Sequence, residues 1–187
     1  AGGARGGPNW ARFPRLRRLD LGYWSEGRLL FEVGDGDAAA AAALRRVEDV
    51  RLDCLNAASW AAVLRHSPAV RRIELICHCC DAWEALATIA SLATRLEALS
   101  ATNLHLERHS AALTAARMPA LRELRLEGGH LARGACAALP CSRLTVLLLW
   151  RGTGLPREVT EAHAGRRWRM LAGVHLHAGE VEPLARG

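Results

Sequence analysis

The chain has 187 residues, half of them apolar and 24% charged, which argues against a disordered chain and is long enough for one continuous core. Its formal net charge of +6 is carried by arginine, which fits an acidic partner or nucleic acid but also fits a simple bias in base composition. No run approaches the roughly 18 apolar residues of a membrane-spanning helix, and the Gly/Arg-rich start over 1–8 has no apolar segment behind it to make a secretory signal.

Residues 1–12 read as a flexible segment, 13–181 as one array and 182–187 as a tail. Phe13-Pro14 leads into a first strand over 16–22. The connection 23–35 is the longest and holds an apolar stretch over 29–33, so it is an extra strand or an inserted loop. Asp37 precedes six alanines and Leu44, an N-cap followed by strong helix formers. A strand over 47–53 comes next. The helix over 57–66 puts Trp60, Val63 and Leu64 on one face and is stopped by Pro68. After a strand over 70–76, Asp81 caps a helix over 82–93 with Leu86, Ile89, Ala90 and Ala93 in a stripe. Beyond the next strand, a helix is expected over 106–117, ended by Pro119. A short helix or 3₁₀ segment is expected over 131–139, then a strand over 144–150. A last helix over 156–168 precedes a strand over 171–177.

The strands share one pattern. In LRELRLEGGHL, residues 121–131, Leu124 and Leu126 alternate with polar residues, the mark of a strand with one buried face. Leu121 stands one residue too far upstream for that alternation, so the chain must turn as it enters the strand. The same triplet recurs as Leu16-Leu19-Leu21, Val47-Val50-Leu52, Val70-Ile73-Leu75, Leu96-Leu99-Ala101, Leu144-Leu147-Leu149 and Leu171-Val174-Leu176. Its mean period is about 26 residues. An ordinary α/β domain does not require the same triplet each time.

This pattern resembles leucine-rich repeat proteins of the intracellular sort, with helical outer sides like those of ribonuclease inhibitor. The joints HSPAVRRIEL and MPALRELRL resemble those in the cysteine-type repeats of F-box proteins. The resemblance covers about residues 13–181. It implies an α/β fold, a leucine-rich repeat solenoid of about seven repeats with a curved parallel sheet and helices on the convex side. It further implies protein binding through the concave face. The position where the family carries Asn or Cys holds Trp24, Leu55, His78, Leu104, Gly129, Gly152 and Gly179. The repeats are therefore degenerate, and the usual side-chain ladder to the loop backbone is expected to be missing. No F-box lies within these residues and neither end has a polar cap, so a fragment of a longer protein, or ends packed against something, is expected. The expected function is a protein interaction scaffold. The alternatives are the substrate-recognition part of an F-box-type ubiquitin ligase receptor and a basic nucleic-acid-binding module.

Alternation also names the outward columns. One is Asp20, Arg51, Glu74, Ser100, Arg125, Leu148 and His175; the other is Arg18, Asp49, Arg72, Ala98, Glu123, Val146 and Gly173. Charges alternate in sign along the first three strands, which reads as a self-neutralising ladder or as a mixed-charge recognition surface. The sixth strand differs. Val146, Leu148 and Trp150 beside Arg151 make an exposed apolar cluster of contact-site composition, unless a neighbouring loop covers it. With Arg125, Glu123, Arg51 and Arg72 they are the candidate partner-binding residues.

The six cysteines, Cys54, Cys77, Cys79, Cys80, Cys136 and Cys141, read as small buried hydrophobes in a reducing, intracellular compartment. Cys77-His78-Cys79-Cys80 lacks a second ligand pair, and His175 and His177 lie four strands away, so no metal is expected. His105, His109 and His130 read as surface residues. Gly128-Gly129 and Gly152-Thr153-Gly154 are turn glycines without a following Lys-Ser/Thr, and no nucleophile motif is present. No enzymatic activity and no cofactor are expected.

Overall fold

The structure, a computed structural model, describes residues 9–21, 37–53, 57–77, 83–106, 117–128, 130–131, 143–150 and 170–174. The first member of five of the triplets sits in a turn. The N–H groups of Leu16, Val47, Val70, Leu96 and Leu121 donate to the carbonyls of Phe13, Leu44, Ser67, Ala93 and Met118, at 3.0 to 3.2 Å. This turn accounts for the odd spacing between the first and second leucines. Two residues later the strands begin: β1 (Arg18–Leu21), β2 (Asp49–Asp53), β3 (Arg72–Ile76) and β4 (Ala98–Thr102). The two-residue β5 (His105–Leu106) follows, then β6 (Glu123–Glu127), the two-residue β7 (His130–Leu131), β8 (Val146–Trp150) and β9 (Met170–Val174).

Seven of these strands form one parallel sheet in the order β1-β2-β3-β4-β6-β8-β9, so each joins the edge left by its predecessor. The second members Leu19, Val50, Ile73, Leu99, Leu124 and Leu147 face one another in register. The third members from Leu21 to Leu149 do the same. Sideways hydrogen bonding starts before the strands do: Glu48 N–H donates to Arg17 O at 2.8 Å, Arg71 to Glu48 at 2.9 Å and Glu97 to Arg71 at 2.8 Å.

Helices lie in the described connections: α1 (Ala38–Leu44), α2 (Ala57–Arg65) and α3 (Trp83–Leu92). The Asp37 carboxylate accepts the Ala40 N–H at 2.9 Å, the cap expected from sequence. At the far end of α2, the Ser67 hydroxyl donates to Val63 O, a buried group satisfied within its own turn. Val63 and Leu64 of α2 and Leu86, Ile89 and Ala90 of α3 are buried in one cluster with the in-register leucines. The architecture is thus α/β, a parallel sheet with helices packed on one face. Burying each of these large side chains stabilises by roughly 1.5–3 kcal/mol relative to exposure.

Four expectations need correction. Trp10, placed in the flexible segment, is only 6% exposed; it sits in a 3₁₀ turn (Trp10–Arg12) and belongs to the core cluster. Leu106 and Leu131, expected to open helices, instead lie in β5 and β7, which pair in parallel with His105 opposite His130. The last strand runs over Met170–Val174 with Leu171 opposite Leu147, so the triplet expected at Leu171-Val174-Leu176 is displaced by three residues. That odd displacement exchanges the faces, and Met170 and Ala172 take the register positions expected of Gly173 and His175.

The fourth correction concerns the missing ladder. Asn103, one residue before the expected position, has φ 54 and donates through Nδ2 to Cys77 O at 3.4 Å, while its N–H meets Glu127 O at 2.6 Å. One rung therefore exists, and Leu104 at the family position is buried in the core. The expected insertion over 23–35, the helix over 156–168, and residues 54, 78–80, 136 and 141 lie outside the described residues.

Gly128 follows Glu127 as Asn103 follows its register partner Thr102, and it too has positive φ, 66°. A Cβ there would stand 2.5 Å from Asn103 Oδ1. Gly128→Ala should therefore lose about 1–2 kcal/mol from the left-handed backbone alone, with the clash adding to it. Urea unfolding of the variant against the parent measures the loss.

Candidate functional site

The face of the sheet turned away from the helices carries the columns expected from alternation. Arg18, Asp49, Arg72, Ala98, Glu123 and Val146 stand in one register line. Asp20, Arg51, Glu74, Ser100, Arg125 and Leu148 stand in the other. Apart from Val146, every one of these side chains is half-buried or exposed, while the residues between them are buried or packed against the core.

The charges pair across strands. Arg51 on β2 lies 3.5 Å from Asp20 on β1 and 3.3 Å from Glu74 on β3. Its Nε meets Glu74 without hydrogen-bond alignment, so that contact is coulombic rather than directional. Arg72 on β3 reaches Asp49 on β2 at 3.8 Å. On β6 the pattern changes: Arg125 donates to Glu123 of its own strand at 3.1 Å. The reason is β4, whose Ala98 and Ser100 offer no charge to either neighbour.

A third charged line was not anticipated from sequence. Arg17, Glu48, Arg71, Glu97 and Arg122 directly follow the first triplet members and also alternate in sign. Arg17 pairs with Glu48, and Arg71 donates to Glu97 at 2.7 Å. Reading that column down the triplets would have revealed it. These pairs are all substantially exposed, and such pairs stabilise by about 0–1 kcal/mol each. Their larger effect is to keep arginines of adjacent strands from facing one another.

The two face columns enclose a depression of about 470 Å³, lined from β1, β2, β3, β4 and β6. Four of the candidate binding residues, Arg51, Arg72, Glu123 and Arg125, meet in it. Of the sixth-strand candidates, Val146 does not have the exposure expected of it. Val146 is only 6% exposed and stands apart from the main core cluster. It is short and has strands on both sides, opposite Glu123 of β6 and Met170 of β9. Leu148 is half-buried opposite Arg125. Trp150 ends β8; its side chain, and Arg151 altogether, lie outside the described residues.

Among the described residues no group of three His, Cys, Asp or Glu is placed to hold a metal ion. Cys77 is buried in the core. Among them, too, no helix is long and apolar enough to cross a membrane. No protein-family model, curated protein or solved structure matches the chain.

Arg51→Glu sets three carboxylates side by side across β1, β2 and β3. It should destabilise the fold by roughly 1 kcal/mol. The loss should shrink in high salt, since exposed charges are screened. Urea unfolding at low and high sodium chloride gives both values.

Proposed function

We propose that the chain is an open leucine-rich repeat array, a solenoid of about seven repeats, acting as a non-catalytic scaffold that binds another protein through the open, concave face of its sheet. The observation that carries this reading is the five-strand depression on that face, which is broad, charged and not covered by the helices. A surface assembled from one or two side chains per strand suits an extended contact better than a small substrate. The recurring triplet, the strand order and the shared register support the array.

The charged centre, rather than the sixth strand, is the primary contact surface in this reading. Affinity capture from cell lysate compares the parent, an Arg72→Glu/Arg125→Glu variant and a Leu148→Glu variant, each confirmed as folded by circular dichroism. The reading predicts a partner captured by the parent and lost with the charge-reversed pair. Partners retained equally by all three would place the binding surface elsewhere.

A further inference from the structure

The depression exists because β4 carries small side chains between two strands that carry long ones. In the first column Ala98 stands between Arg72 and Glu123; in the second, Ser100 stands between Glu74 and Arg125. The flanking strands are two spacings apart, roughly 10 Å. Alanine and serine end well short of arginine and glutamate. The result is a trough along β4, floored by Ala98 and Ser100 and walled by charge.

The chemistry of the occupant follows from which groups are already engaged. Each carboxylate of the two columns has an arginine: Asp20 and Glu74 share Arg51, Asp49 lies near Arg72, and Glu123 is held by Arg125. The donors are not equally engaged. The Arg72 side chain is 74% exposed and stands 3.8 Å from Asp49, beyond hydrogen-bond distance. Among the described residues the Ser100 hydroxyl has no hydrogen-bond partner and Arg18 has no ion pair. A guanidinium offers five donors in a planar fork that matches a carboxylate. A basic segment would have to take carboxylates away from their arginines. An apolar one would find Ala98 and little else, since Val50, Ile73 and Leu99 in the lining are almost fully buried.

We propose that the trough along β4 receives an extended acidic segment of the partner protein, one Asp or Glu side chain seating over Ala98 and Ser100 against Arg72. Arg18, further along the same column, adds attraction at longer range. The inference rests on the open face being the binding surface and names the chemistry of what binds there.

Selection of random linear peptides displayed on phage against the folded chain tests it. The expected peptides are enriched in Asp and Glu. Their affinity falls roughly tenfold with Arg72→Gln, the loss of one charge-assisted contact. It falls comparably with Ala98→Phe, which fills the trough without changing charge, and is unchanged by Leu148→Ala. Circular dichroism and unfolding confirm that each variant folds. Basic or apolar peptides, acidic peptides indifferent to Arg72→Gln and Ala98→Phe, or no enriched peptide at all would overturn the acidic trough. If the selected peptides still lose binding with Leu148→Ala or Arg125→Glu, the open face remains the binding surface. If they ignore every substitution on that face, the wider reading falls with the narrower one.

Discussion

A parallel strand satisfies its backbone only through its neighbours, and its edges stay unmet until another strand arrives on each side. Here β2, β3, β4, β6 and β8 each lie between two partners, and the strands are added in chain order. The turns at Leu16, Val47, Val70, Leu96 and Leu121 deliver β1, β2, β3, β4 and β6 at the same height. Equal height keeps Leu19, Val50, Ile73, Leu99, Leu124 and Leu147 in one line. The in-register strand residues and the inner faces of α1, α2 and α3 then merge into one core. A one-residue slip would turn the leucines outward and the charges inward, so burial itself enforces the register.

The same register governs the other face. Residues that alternate with the leucines are forced into columns, and like charges in a column would repel at about one strand spacing. Alternating signs turn that repulsion into attraction, as Arg51 between Asp20 and Glu74 illustrates. Each pair is too exposed to stabilise much. What the ladder does is hold long side chains in defined places around the depression. It is interrupted where β4 substitutes Ala98 and Ser100, and there Arg125 turns to Glu123 of its own strand.

Much of this was legible from periodicity. The Asp37 cap, α2 and α3 lie within about a residue of the positions read from sequence, because strong apolar stripes and Pro68 bound them. The outward columns followed from alternation alone. The last strand did not, because Leu171 fits either the first or the second triplet position, and only pairing with β8 decides between them. The short β5 and β7 carry too few residues for a period to show. Val146 marks a different boundary: alternation assigns a side chain to a face, but its exposure depends on the length of the side chain and on its neighbours. The Asn103 rung was overlooked because its amide acts one residue before the position where such a ladder is usually sought.

Native-state hydrogen exchange resolved by residue tests most directly whether one continuous, neighbour-dependent sheet underlies the account. The amides of β3, β4 and β6 should exchange slowest, with protection declining toward the edge strand β1, since opening a central strand requires breaking pairs on both sides. If β4 exchanged fast between two independently protected blocks, the sheet would not be continuous. The shared core and the trough built on β4 would then be contradicted together.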